Sequence, residues 1–126
     1  MFRIYVWIDG QSFDPTRFLE AAGGSVGSRK RMSGGVAEVS GTYWRSDEVS
    51  GVAADRVDAE LRTLLRRLGP AVRAVSGDAS VRVMVEVVQE YRDDDSVAGL
   101  FLSIETVRLM ADMRANLDVD IVRDLS

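Results

Sequence analysis

Carboxylates, arginines, tyrosines, serines and threonines make up the chemical repertoire of this chain, which has no histidine and no cysteine, and Lys30 as its sole lysine. Without His and Cys there is no thiol nucleophile, no imidazole base and no soft-ligand zinc site. Paired acids are the remaining route to catalysis or metal binding. Asp118-Val119-Asp120 puts two carboxylates on one side of a strand, but oxygen-only cation sites need more ligands than two. Glu86 and Glu90, four residues apart, would be separated by about 13 Å along a strand, too far for either glycosidase geometry. Asp93-Asp94-Asp95 lacks the spacing and the closing Glu of a calcium loop, and reads instead as an exposed acidic knuckle. No catalytic residue, metal ligand or cofactor is therefore assigned.

Two groups of residues suit binding. Tyr5 and Trp7 lie on the side of the first strand opposite its aliphatic residues, and Tyr43 and Trp44 follow in the second. Beside Arg3 and Arg45 they match the composition of protein–protein hot spots. Asp93, Asp94 and Asp95 would add electrostatic contacts with a basic partner. The alternative is the Gly- and Ser-rich segment 23–35, where Arg29, Lys30 and Arg31 could face a phosphate or other small ligand. It carries neither G-x-x-x-x-G-K-[ST] nor G-x-G-x-x-G, and a helix rather than a strand precedes it. It reads as a mobile loop.

Composition limits the partners. The net charge is −4 over 126 residues, which disfavours nucleic acid as a direct ligand, because neutralising phosphates needs a basic face. No run approaches the roughly 20 apolar residues that span a bilayer. MFRIYVWID is too short for a signal peptide and lacks a cleavage site. The absence of cysteine gives no sign of secretion, so a cytoplasmic location is expected.

The elements that must hold these residues read as follows. Phe2, Ile4, Val6 and Ile8 alternate with Arg3, Tyr5, Trp7 and Asp9, the period of a strand with one buried face. Asp14-Pro15 is a helix start and Gly23-Gly24 its stop. Val36–Trp44 is a second strand, with a bend expected at Gly41. Val57, Leu61, Leu64, Leu65 and Leu68 form the apolar stripe of a helix from about Val52 to Leu68, which Gly69-Pro70 ends; residues 71–76 have room for one further turn. Val81, Val83, Val85 and Val87 mark a long strand. Residues 93–96 turn into a short apolar strand, Gly99–Leu102. Ser103 caps a last helix with Ile104, Val107, Met110 and Ala111 buried and Asn116 at its close. A final strand points Leu117, Val119 and Ile121 inward.

The predicted architecture is a single α+β domain over residues 1–126, in the order β-α-β-α-β-β-α-β. It is a two-layer sandwich: a five-stranded, largely antiparallel sheet with three helices mainly on one face. Gly99-Leu-Phe-Leu-Ser103, followed by IETVRLMADMRANLDVDI, resembles the closing pattern of the bacterial domain-of-unknown-function family 4279, in which a G-x-x-L-S strand leads to a helix and an L-D-x-D-I strand. Asp14-Pro15, Trp44-Arg45-Ser46 and the Leu-rich helix near Gly69-Pro70 also fit, while residues 20–35 depart from it. The resemblance implies a fold and no activity. The functional expectation is a small non-catalytic binding protein, most concretely an immunity-type inhibitor of a basic toxin, with the small-ligand module as the alternative.

Overall fold

The computed structural model describes residues 1–92 and 98–123. It is an α+β fold with, among the described residues, three helices and one mixed, open sheet of six strands. The strands are β1 (Phe2–Gly10), β2 (Ser25–Ser33), β3 (Val36–Arg45), β4 (Val49–Val52), β5 (Val81–Tyr91) and β6 (Ala115–Arg123). The helices are α1 (Pro15–Ala22), α2 (Val57–Ser76) and α3 (Ile104–Asp112), with one 3-10 turn, Ala54–Arg56, before α2.

The sheet runs β2-β3-β1-β5-β6, and β4 pairs with the first half of β1 while β3 pairs with its second half. All pairs are antiparallel except β5–β6, whose parallel register requires the crossover that α3 provides. One face is the core. Phe2, Ile4, Val6 and Ile8 of β1, Trp44 of β3 and Val83, Val85 and Val87 of β5 pack against the stripe Leu61, Leu64, Leu65, Leu68 and Val72 of α2, with Phe18 of α1 and Met110 of α3. The alternation read in β1 therefore predicts the buried face correctly; in β5 it gives Val83, Val85 and Val87, but Glu86 and Val88 on the other face are buried as well.

Local chemistry places the helix starts as expected. Asp14 Oδ1 accepts from the Thr16 and Arg17 amides, and Ser103 Oγ accepts from the Thr106 amide. Asp58 then ties the two longer elements together. Its Oδ1 accepts from the Ser103 amide at 2.8 Å and the Thr106 hydroxyl at 2.7 Å, and Arg62 Nη1 donates to its Oδ2 at 2.8 Å. Burial pushes the Asp58 pKa up, but these hydrogen bonds outweigh it and hold the group below the usual carboxylate range.

Several expectations are corrected. The segment 23–35 is not a loop: it is strand β2, closed onto β3 by Gly34 (φ 57°) and Gly35 (φ 80°), the two positive φ values of a tight hairpin turn. The bend near Gly41 is a register shift opposite Arg29 and Lys30. Helix α2 does not stop at Gly69-Pro70 but runs to Ser76. Gly69 has no Cβ to clash with the following proline ring, and the extra turns bury Val72 and Ser76. Residues 99–102 are not a strand; Leu100 and Leu102 pack on the core without joining the sheet. The buried residues of α3 are Thr106 and Met110, not Ile104, Val107 or Ala111. Asn116 lies inside β6, and the helix is closed instead by Met113 and by Arg114 at φ 52°. Asp93, Asp94 and Asp95 lie outside the described residues.

Candidate binding face

The helices occupy one side of the sheet, so the other side is left to the residues that alternate with the core. Arg3, Tyr5, Trp7 and Asp9 of β1 stand there, flanked by Tyr43 and Arg45 of β3, Arg29 of β2, and Arg82 and Glu86 of β5. Register brings them together: Trp7 pairs with Arg45 and Met84, Tyr5 with Glu86, and Tyr43 with Gly27.

Arginine stacked on aromatic rings organises this face. The Arg29 guanidinium lies 4.7 Å from the Trp7 ring centre and 5.0 Å from that of Tyr43. Arg82 lies 4.9 Å from Trp7, and Arg45 lies 3.8 Å from Tyr5. Such cation–π contacts fix the rings at low conformational cost. Gly27 makes room: a Cβ there would sit 2.5 Å from the Tyr43 ring. Arg29 and Arg82 both pair with Asp9, and the desolvation that raises the Asp9 pKa is outweighed by these two donors, which lower it. Arg3 pairs with Glu48 and Glu90, and Arg45 with Glu48. Between the rings lies a depression of about 260 Å³, bounded by Tyr5, Trp7, Ser28, Arg29, Tyr43 and Arg45.

Toward β6 the face becomes acidic. The parallel register sets Glu86 beside Asp118, and carboxylate oxygens of Glu86, Asp118 and Asp120 all lie within 4.8 Å of one another. Trp7 Nε1 donates to Glu86 Oε1 at 2.8 Å, while Glu86 Oε2 is buried with no hydrogen-bond partner. Burial, then Asp118 and Asp120, raise the Glu86 pKa against the lowering effect of Trp7. Burial and Glu86 likewise raise the Tyr5 pKa, opposed by Arg45 and Arg3. This trio is where a hard cation would find oxygen ligands, although three carboxylates supply only part of the six or more oxygens such ions take.

The sequence put Tyr5 and Trp7 on one strand face and grouped Tyr43 and Trp44 with them as one surface; the structure brings Tyr5, Trp7 and Tyr43 together. Trp44 is corrected. Its register with Ile8 turns it to the helix side, where it is 0% exposed, packs edge-on against Phe18 at 4.6 Å and donates to the Gly23 carbonyl at 2.6 Å. Arg29, Lys30 and Arg31 do not form a phosphate-cradling loop. In a strand, neighbouring residues point to opposite faces, so the Arg29 that stacks on Trp7 and the exposed Lys30 cannot converge; the Arg31 side chain lies outside what is described. Arg82 and Glu86 are not legible in the sequence as partners of this face, because only the pairing of β5 with β1 brings them beside Asp9, Trp7 and Tyr5. Comparison with protein-family models, with curated proteins and with solved structures finds no match. No helix among the described residues is long and apolar enough to cross a membrane.

Proposed function

We propose that this is a small non-catalytic binding protein that docks another protein on the open face of its sheet. In its most concrete form it is a cytoplasmic immunity-type inhibitor that covers a basic toxin. One observation carries the reading: Trp7 is held between Arg29 and Arg82, next to Tyr5 and Tyr43, on the sheet face opposite the core against which the described helices pack. Trp, Tyr and Arg are the residues enriched in binding hot spots, and rings already clamped by stacked guanidinium groups lose little freedom when a partner arrives. The four arginines of the face are paired with carboxylates, whereas Glu86, Asp118 and Asp120 have no ion-pair partner among the described residues. Together with the net charge of −4, this favours a basic partner and steered association. The resemblance to the 4279 family belongs to the same proposal and bears on fold alone.

The test is affinity capture from native lysate, followed by calorimetry with the purified partner. A one-to-one complex with a basic protein, weakened about thirtyfold by Trp7→Ala or Tyr43→Ala, is the expected result for hot-spot residues. Unchanged affinity in both variants rules this face out. A second reading, a small-ligand module, is favoured by the depression that takes Ser28 and Arg29 from the 23–35 segment. It requires a ligand that raises the melting temperature of the wild type and not of Arg29→Ala.

A further inference from the structure

Among the described residues the sheet ends at β6, which pairs on one side only. Such an edge presents unpaired backbone donors and acceptors, and proteins usually blunt it with charges, prolines, bulges or short length. The opposite edge, β2, is treated in that way: its sequence is SVGSRKRMS. β6 carries charge too, at Asp118, Asp120 and Arg123, but it runs nine residues, ANLDVDIVR, without proline, glycine or a register shift. On its core side Leu117, Val119 and Ile121 are 38%, 42% and 56% exposed, although their register neighbours Val85 and Val87 are fully buried. On its other side stand Asp118 and Asp120, joined by the buried Glu86 whose Oε2 has no partner.

We propose that β6 is a docking edge for an extended segment of a basic partner, whose apolar side chains cover Leu117, Val119 and Ile121 while alternating Lys or Arg side chains meet Asp118 and Asp120. The period of two in a strand makes these one requirement: a segment that alternates apolar and basic residues satisfies both faces at once. Charge decides against a second copy of this chain. Antiparallel self-pairing centred on Val119 would cover the three apolar residues symmetrically, but it sets Asp118 of each copy opposite Asp120 of the other, and like charges directly across a strand pair are unfavourable. A basic segment reverses that sign. This inference rests on the protein-binding reading for the existence of a partner, but it concerns a separate edge and is tested without one.

The probe is a fluorescein-labelled peptide, KVKVKVK, titrated by anisotropy at physiological salt, with hydrogen exchange of the protein measured in parallel. The expected result is saturable binding with slowed exchange of the β6 amides. Binding is at least tenfold weaker for KVKPKVK, which keeps the charge but loses a central N–H, and for EVEVEVE. The double variant Asp118→Asn/Asp120→Asn weakens KVKVKVK to a similar degree. Equal binding of KVKVKVK and KVKPKVK, protection confined to β2, or no binding at millimolar peptide overturns the proposal. So does a dimer in sedimentation whose exchange protection covers β6. The peptide comparisons need no protein variant, so a variant that folds poorly leaves the test intact. Loss of partner binding in Trp7→Ala with no peptide binding to β6 would reject this edge while leaving the open-face reading standing.

Discussion

Trp7 Nε1 donates to Glu86 Oε1 across the β1–β5 pair at 2.8 Å, two residues along β1 from Tyr5, which directly opposes Glu86. This diagonal bond joins the aromatic half of the open face to its acidic half. It satisfies one oxygen of Glu86, a residue only 6% exposed, and leaves Oε2 buried without a hydrogen-bond partner.

Replacing Glu86 tests the balance at that point. Gln keeps an acceptor for Trp7 and supplies an N–H group beside Asp118, so Glu86→Gln stabilises the fold at pH 7 to 8 by about 1 kcal/mol, the size of one net hydrogen bond. The sign follows from linkage. A carboxyl group whose pKa is raised on folding contributes stability below its unfolded value, and that contribution is lost as pH rises through the folded value. Urea titrations at pH 4 and pH 8 should show the advantage of Glu86→Gln at the higher pH and little at the lower; the reverse order contradicts the assignment.

Asp58 carries the opposite dependence. Its pKa is lowered on folding, so its contribution is present above the unfolded value near 3.9 and disappears as pH falls through the folded one. Asp58→Ala removes the acceptor for the Ser103 amide and the Thr106 hydroxyl and should cost about 2 to 3 kcal/mol at pH 7, as expected for hydrogen bonds to a charged group. The difference from the wild type should shrink in acid, as read by denaturation at both pH values.

The two tryptophans should separate cleanly. Trp44→Ala empties a fully buried site and should cost about 3 to 5 kcal/mol of stability. Trp7→Ala should change the melting temperature far less while abolishing its share of partner binding. Chemical denaturation of both variants decides, and equal losses of stability would mean that Trp7 is a core residue too.

Pro70 sits inside α2 without an amide to donate. Pro70→Ala restores a helical hydrogen bond and should stabilise by about 2 kcal/mol, the helix-interior penalty of proline less the freedom returned to the unfolded chain. A loss of stability would show that the proline ring packs where alanine cannot.

Gly27 and Tyr43 are similarly coupled. A methyl group at Gly27 would enter the space of the Tyr43 ring, so Gly27→Ala should displace the ring and weaken partner binding about as much as Tyr43→Ala does. Calorimetry on the single and double variants checks this, and additive losses would show the two residues to be independent.

What the sequence determined by itself is what neighbours along the chain decide. The alternation in β1 and β5 set which side of each strand is greasy, and so put Tyr5 and Trp7 on the same face. Asp14-Pro15 and Ser103 set two helix starts, because a cap needs only the amides two or three residues away. The acidic composition and the missing His and Cys set the kind of chemistry open to the chain. The tertiary structure decided the rest, because it depended on groups distant in sequence. Gly69-Pro70 reads as a stop, yet burial of Val72 and Ser76 carries α2 through it. Residues 23–35 read as a loop, yet the β3 strand gives Ser25–Ser33 backbone partners. Trp44 reads as a possible surface anchor, but the register of Ile8 with Trp44 turns it inward. Glu86 and Asp118 lie 32 positions apart, and only the parallel pairing of β5 with β6 makes one acidic site of them. Local hydrogen bonding and side-chain period can be read residue by residue, whereas strand register is a choice among long-range pairings that the assembled core makes.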